Sequence, residues 1–295
     1  MKKILLASTA LIATAGMAAA EINFGGSARF GLVYNDATGA EELVVHNRLT
    51  INIDGTAETD SGLEFFGRVR IRSDNRGVAP TASGVSAARV GVRTGGFTLA
   101  TGNINGAWES TPGLYDGSVG LTGLSWGNVL GNNSAAGAFS WDSFSSAGAG
   151  SNGIEVIYSA GDLGLHVSHS DSNDRTAAHI SYSFGDWTVA LAAQESETAG
   201  EDFVGLTVGG SIGAADLGLA IGDIDGDDAV RINGSFEVAS GTTITAYATA
   251  LDGAGINDAF GIGFTHSLGG ATLAGGWSNT TADTNVADFG VRFNF

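Results

Sequence analysis

The ten residues LEFFGRVRIR, from Leu63 to Arg72, place apolar and charged side chains at alternate positions. Successive side chains of a β-strand point to opposite faces, so Arg68, Arg70 and Arg72 share one face. Three arginines in succession are costly in a closed protein core, whereas they suit a wall that faces water. The segment therefore indicates a sheet with one apolar face and one strongly hydrated face.

The same period of two extends along the chain. We predict sixteen strands, near residues 22–34, 43–56, 62–73, 85–94, 97–103, 153–159, 163–171, 176–184, 187–195, 202–211, 216–223, 228–237, 242–251, 258–267, 271–278 and 285–295. Tight turns such as Gly95-Gly96 alternate with longer polar connections such as 279–284. A soluble β-sandwich shares the period but has no reason to segregate short turns from long loops, whereas an outer-membrane barrel does so.

The N-terminus predicts export. Met1-Lys2-Lys3 is followed by an uncharged apolar run to about Ala15 and then by the small residues Ala18-Ala19-Ala20. This is the pattern of a cleaved secretory signal. We therefore assign residues 1–20 to a signal peptide and residues 21–295 to the barrel.

Composition excludes several functions. The formal net charge is −18, and the two lysines would leave with the signal, so binding to nucleic acid is opposed electrostatically. The chain has no cysteine, which excludes thiolate metal and redox sites. Hydrophobic residues make up 43%, as expected when only every second strand residue meets lipid. An acidic, soluble secreted protein would share this composition.

One connection, residues 104–152, loses the alternation and is rich in Gly, Ser and Asn. Loops this long are either functional or disordered. Its scattered aromatic residues, among them Trp108, Tyr115 and Trp126, argue that it packs against something. We predict an all-β, 16-stranded antiparallel transmembrane β-barrel whose long third loop folds into the lumen and constricts the pore; an external loop is the alternative.

Seven arginines fall on inward faces of the first four predicted strands: Arg29, Arg48, Arg68, Arg70, Arg72, Arg89 and Arg93. The long loop offers the acids Glu109, Asp116 and Asp142. Cations on one wall and anions on an infolded loop would set a transverse field across a narrow pore. The competing interpretation is that these arginines only form salt bridges with lumen acids such as Glu64 and Asp54.

Three other motifs carry little weight. Gly209–Gly213 fits G-x-S-x-G but lacks the strand-turn-helix context of a hydrolase. Gly148–Gly153 fits G-x-G-x-x-G, but a strand follows it where a dinucleotide site needs a helix. The acidic stretch Asp223–Asp228 resembles part of a calcium loop without its closing Glu, so we predict no cofactor and keep calcium as an alternative.

Four segments carry a resemblance to a known family: GGSARFGLVYN (25–35), DSGLEFFGRVRIR (60–72), GLYDG (113–117) and ADFGVRFNF (287–295). With them, the chain resembles the general diffusion porins of purple non-sulfur and related alphaproteobacteria over nearly its whole mature length. The resemblance implies a homotrimer of 16-stranded barrels, each narrowed by its third loop. It also implies a pore constriction with an arginine side and a loop side, formed by Arg29, Arg48, Arg68, Arg70, Arg89, Glu109 and Asp116. The loop has fewer acids than the family pattern.

The expected function is therefore that of an outer-membrane porin, a water-filled channel for passive diffusion of small hydrophilic solutes and ions, and not an enzyme. Its expected partners are outer-membrane lipid, lipopolysaccharide, the solutes and two further copies of the chain. The alternatives are a channel selective for one class of nutrient, a non-conducting barrel adhesin and, last, a hydrolase embedded in the barrel.

Overall fold

The computed structural model describes residues 20–37, 42–76, 80–124, 142, 144–146, 148, 150–197, 202–253 and 257–295. The predicted signal peptide lies outside the described residues except for Ala20, the first residue of β1. Within the described ranges, no helix is long and apolar enough to cross a membrane.

The regular elements of the described residues are seventeen β-strands. They are β1 (Ala20–Asn35), β2 (Leu43–Glu58), β3 (Glu64–Arg76), β4 (Pro80–Val85), β5 (Arg89–Thr94), β6 (Phe97–Asn103), β7 (Asn152–Ala160), β8 (Leu163–Ser170), β9 (Arg175–Phe184), β10 (Trp187–Ser196), β11 (Phe203–Ile212), β12 (Ala215–Ile224), β13 (Asp227–Ala239), β14 (Thr242–Leu251), β15 (Ala259–Ser267), β16 (Thr272–Asn279) and β17 (Asn285–Asn294).

Antiparallel pairing closes the sheet into a barrel. β17 returns to β1 in a register that runs from Ser27 opposite Asn294 to Asn35 opposite Val286. The last residue extends this seam, because the Gly26 N–H donates to the Phe295 carbonyl at 2.8 Å and the Phe295 N–H donates to the Gly26 carbonyl at 3.1 Å. Because β17 pairs with β1, the sheet has neither a first nor a last strand among the described residues, which confirms the predicted closed barrel.

The seventeen strands occupy sixteen positions around the barrel. β4 and β5 both pair with β3, β4 along Ile71–Asn75 and β5 along Glu64–Arg68. Between them, the Ala87 N–H donates to the carbonyl of Gly148 in the long loop, at 2.8 Å. The fourth predicted strand, 85–94, is thus interrupted where the long loop returns to the wall and pairs with it.

Hairpin turns join strands at one end of the barrel. Gly95 and Gly96 connect β5 to β6 with φ of 53° and 82°, the left-handed values that a two-residue hairpin turn requires. At the other end, the predicted acidic loop 223–228 is shorter than expected. β12 and β13 pair through Asp223 and Asp228, so only Asp225 and Gly226 form the turn.

The two faces of the barrel differ in chemistry, as the alternation predicts. Large apolar side chains, including Ile71, Leu191 and Ile262, are exposed on the outer face. Polar and charged side chains occupy the inner face, where Arg68 lies opposite Asp54 on β2. An apolar exterior around a polar interior is the arrangement of a transmembrane barrel.

This arrangement predicts unequal costs for one substitution at two positions of β13. Ile232 is 58% exposed on the outer face, and Ile232→Arg should lower the free energy of unfolding in lipid vesicles by about 2–4 kcal/mol. On the inner face the Ser235 hydroxyl bonds to Asp216 at 3.0 Å, so Ser235→Arg gains a carboxylate neighbour and should cost far less. Denaturant titration of both variants measures the difference, and equal costs would contradict the assignment of the two faces.

Candidate functional site

The seven predicted arginines share the inner face of β1 to β5. Strand register places Arg29 opposite Arg48, and Arg68 opposite Arg89. We call the set Arg29, Arg48, Arg68, Arg70, Arg72, Arg89 and Arg93 the arginine ladder. The prediction that these side chains point inward from one wall agrees with the register.

Four members of the arginine ladder form ion pairs with acids of the same wall. Arg68 holds Asp54 through two hydrogen bonds, of 2.5 and 3.1 Å. The other pairs are Arg48–Asp74 at 2.5 Å, Arg89–Glu155 at 2.5 Å and Arg93–Glu64. Salt bridges and an inward arginine wall therefore coexist, and the two interpretations of the sequence are not exclusive.

Arg70 is bound differently. Its Nε donates to the amide oxygen of Asn52 at 3.0 Å, and its Nη1 donates to the Ser146 hydroxyl at 3.0 Å and the Phe144 carbonyl at 3.4 Å. The Phe144 ring lies 4.9 Å from the guanidinium carbon. Among the described residues Arg70 has no carboxylate partner, so its charge is balanced only at longer range.

The part of the long loop from residue 104 to residue 124, here called the contact segment, touches the inner face of strands far along the chain. The Ala107 N–H donates to Ser168 of β8 at 2.8 Å, and its carbonyl bonds to His179 of β9 at 2.7 Å. Thr207 of β11 donates to the Pro112 carbonyl at 2.5 Å. These bonds tie the first half of the contact segment to three strands.

Two charged side chains hold the second half of the contact segment. Arg231 of β13, which is fully buried, donates to the carbonyls of Gly113 and Leu114. Asp288 of β17 accepts hydrogen bonds from the Leu121 N–H at 2.7 Å, the Thr122 N–H at 2.6 Å and the Thr122 hydroxyl at 2.7 Å. Hydrogen bonds to charged groups are the stronger kind, so these two residues act as anchors.

Apolar packing adds to these anchors. Trp108 is 1% exposed and its ring centroid lies 5.1 Å from that of Phe203 on β11. Leu114 belongs to the same buried cluster. The expectation that aromatic residues of the long loop pack against something is met for Trp108; Trp126 lies outside the described residues.

Glu109 is buried, unlike the pore-lining acid that was expected. It is 4% exposed, its Oε1 accepts the Asp142 N–H at 2.9 Å, and the same oxygen lies 3.9 Å from Nη1 of Arg175 on β9. Burial raises the pKa of the Glu109 carboxyl from its usual value near 4.5 to about 7, and the Asp142 carboxylate adds to the rise. Glu109 and Asp142 therefore face Arg175 and not the arginine ladder.

Asp116 is exposed, as a pore-lining acid should be. It lines a polar cavity of about 370 Å³ together with Asp216 of β12 and Asn233 of β13. A second cavity, of about 500 Å³, lies at the arginine ladder and is lined by Arg68, Arg70 and Arg89. Asp116 and Asp216 thus line one cavity beside the contact segment, and Arg68, Arg70 and Arg89 line another.

Sequence reasoning did not identify Arg175, Arg231 or Asp288. The inner-face position of Arg231 and Asp288 was predictable from strand alternation, whereas Arg175 lies one residue before its predicted strand, 176–184. A charged residue on an inner face is a signal in itself. What each would bind was not predictable, because Arg231 and Asp288 bind mainly backbone groups of the contact segment.

The G-x-S-x-G motif, Gly209–Gly213, ends β11 and leads into β12, so the helix that a hydrolase needs does not follow it. The Ser211 hydroxyl donates to Asp216 at 2.6 Å where β11 ends in a turn. Among the described residues, no group of three or more His, Cys, Asp or Glu side chains is arranged to hold a metal ion. That part of the chain includes all of Asp223–Asp228.

Comparisons with known proteins agree with this geometry. A family model described as Gram-negative porin matches residues 7–289. The porin of Fuscovulum blasticum is 31% identical over 300 residues, which cover 93% of this chain and all of that protein. A solved triple mutant of the Rhodopseudomonas blastica porin superimposes with a TM-score of 0.82 at 29% identity, over 93% of this chain and all of that one. A second mutant of the same protein gives 0.82 at 28% identity over the same shares.

The anchor at Asp288 predicts that its loss frees the end of the contact segment. The chain has no cysteine, so Leu121→Cys introduces a single, buried thiol. Adding Asp288→Ala removes three hydrogen bonds to a charged acceptor and should speed maleimide labelling of that thiol at least about tenfold. The matched control is Asp283→Ala, in the connection between β16 and β17, which should leave the rate unchanged. Equal rates in the two double variants would rule out an anchoring role for Asp288.

The raised pKa of Glu109 predicts that docking of the contact segment depends on pH. The pKa of the Glu109 carboxyl is about 4.5 when the side chain is exposed and about 7 when it is buried in the docked segment. The docked state is therefore most stable below about pH 4.5, where the carboxyl is protonated in both states. This stability is lost as the pH rises through about 7, because the buried carboxyl must then lose its proton. Hydrogen exchange of residues 106–114, corrected for intrinsic rates, should show at least about tenfold less protection at pH 8 than at pH 5. Glu109→Gln should abolish this dependence, whereas Asp116→Asn should retain it; a wild-type protein without the dependence would refute the prediction.

Proposed function

The chain belongs to the Gram-negative porin family, and from that we propose that its channel narrows between the arginine ladder and the contact segment. The protein is an outer-membrane porin of the alphaproteobacterial type. Its closed barrel is a channel for passive diffusion of small hydrophilic solutes and ions. What the proposal adds is the position of the constriction and the residues that form it.

The bonds of the contact segment carry the proposal. They reach the inner face at β8, β9, β11, β13 and β17 in succession. Arg29 of β1 then approaches the Leu121 carbonyl, at 3.4 Å. A segment bonded to inner-face residues over so much of the circumference occupies the cross-section of the lumen. Water and solutes then pass through the space that it leaves.

Charge is divided across that space. The arginine ladder occupies β1 to β5, while Asp116 of the contact segment and Asp216 of β12 line the opposite cavity. Opposed charges in a narrow, partly desolvated passage act strongly, because the local dielectric is low. Cations and anions would therefore follow different walls. Of the two loop acids carried over by resemblance, Asp116 remains in this assignment, and Glu109 becomes a buried residue that fixes the loop.

We also propose the remaining properties that the resemblance implies. The signal peptide is removed after Ala20, the mature barrel forms a homotrimer, and its apolar outer face contacts outer-membrane lipid and lipopolysaccharide. Transport needs no cofactor and no catalytic step, and calcium is not assigned a site. The exposed apolar side chains of the outer face support contact with lipid or a neighbouring subunit.

Ion selectivity tests the constriction. The acidic chain should favour cations weakly at low salt, and this preference should fade near 1 M, where screening acts over about 3 Å. Replacing Arg48 and Arg70 with Ser should raise the conductance of the channel and shift the reversal potential in a salt gradient toward cations. Asp116→Asn should shift it toward anions, because a negative charge is removed from the passage.

Glu109→Gln is the matched control for Asp116→Asn, since both remove one carboxylate from the same segment and only Asp116 is exposed. It should move the reversal potential much less. If the double arginine variant keeps both the conductance and the reversal potential of the wild type, the arginine ladder does not line the narrow part. Absence of any conductance from the folded wild-type protein would favour a barrel adhesin.

A further inference from the structure

The cavity beside the arginine ladder is lined by charged side chains. Its lining includes three arginines, Arg68, Arg70 and Arg89, and the carboxylate of Glu155. Arg68 is neutralised by Asp54, and Arg89 by Glu155. Arg70 forms no ion pair with a carboxylate among the described residues, and Asp54 acts on it only at longer range. A cavity of about 500 Å³ lies within the size range of small-molecule sites.

We propose that this cavity is a subsite for small organic oxyanions, carboxylates or phosphates, which bind to Arg70 while they pass through the channel. This deepens the proposed function and rests on it. A channel that selects solutes only by size has no need of a cationic cavity. A channel that binds anions briefly at its constriction raises their local concentration there. Their flux is then higher when the external concentration is low.

The guanidinium of Arg70 is positioned for such a ligand. The hydrogen bonds to Asn52, Ser146 and Phe144 use its Nε and Nη1. The two N–H groups of Nη2 are not used by any of these bonds. Because three neutral acceptors and the Phe144 ring fix the side chain, a ligand finds a preorganised donor and does not have to order it.

Arg89, the second arginine of the cavity, also has N–H groups outside its ion pair. Arg89 contacts Glu155 through Nε at 2.5 Å, and its terminal nitrogens are not part of that bond. The two oxygens of Glu155 are taken by Arg89 and by His166, at 3.1 Å. Glu155 is buried, and its negative charge is offset by Arg89. Arg70 and Arg89 can therefore present N–H groups to one oxyanion.

The rest of the lining selects for an organic ligand. Phe144 and Ile157 give the cavity an apolar part, and Asn105, Ser110 and Ser181 give it neutral polar groups. An anion with a short apolar body can bury that body here, whereas chloride cannot. The cavity thus favours small organic carboxylates and phosphates over simple halides.

Current block measures this binding directly. Wild-type channels are recorded in a planar bilayer in KCl, with potassium benzoate or potassium phosphate added at constant ionic strength. Each anion should reduce the current in a saturable way, benzoate at the lower concentration. Arg70→Gln should raise the half-blocking concentration at least about tenfold. The control Arg93→Gln removes one charge from the same ladder outside the cavity and should change it less than about twofold.

The result that overturns the proposal is normal KCl conductance without saturable block by either anion, or equal shifts in Arg70→Gln and Arg93→Gln. Lack of KCl conductance in the wild type would instead refute the proposed function, so the two failures are distinguishable. If Arg70→Gln does not assemble, Arg70→Lys replaces it. This variant keeps the positive charge but loses the planar guanidinium and its fixed N–H groups, so the half-blocking concentration should rise several-fold. An unchanged value overturns the proposal.

Discussion

The structure depends on the hydrogen bonds that join the last strand to the first. A sheet in hydrocarbon has no water to satisfy the N–H and carbonyl groups of its edges, so every edge must be paired. Here Gly26 and Phe295 exchange two backbone hydrogen bonds at the end of the β1–β17 seam. Closing that seam gives the barrel an inner and an outer face. Successive strand residues point to these faces in turn, so the position of a residue along its strand determines whether a polar or an apolar side chain suits it.

The closed wall also determines how the long loop can be held. Strand pairing uses most of the backbone of the wall, so the contact segment is bound mainly by inner-face side chains. Arg231 and Asp288 do so with opposite charges, one donating to carbonyls and the other accepting from N–H groups. Because the contact segment has no regular strand or helix pairing of its own, these side chains satisfy backbone groups that would otherwise be buried without partners.

The fold was predictable from the sequence because a period of two is a local property. The arginine ladder followed from the same parity, because Arg29 lies opposite Arg48, and Arg68 lies opposite Asp54, which shares the face of Arg48 on β2. The site was less predictable. Glu109 and Asp116 are seven residues apart in one irregular segment, and no periodicity distinguishes the buried carboxylate from the exposed one. The interruption between β4 and β5 was equally hidden, since it arises from a contact with Gly148.

The anchor at Asp288 has a consequence for the order of assembly. The bond between Leu121 and Asp288 spans 167 residues, from the middle of the chain to its final strand. Such a contact cannot form before β17 is in place, and contacts of long sequence separation form slowly. The nascent barrel therefore passes through a stage at which its wall is incomplete and the end of its loop is undocked. The narrow passage is a late product of folding, completed only when the rest of the molecule already exists.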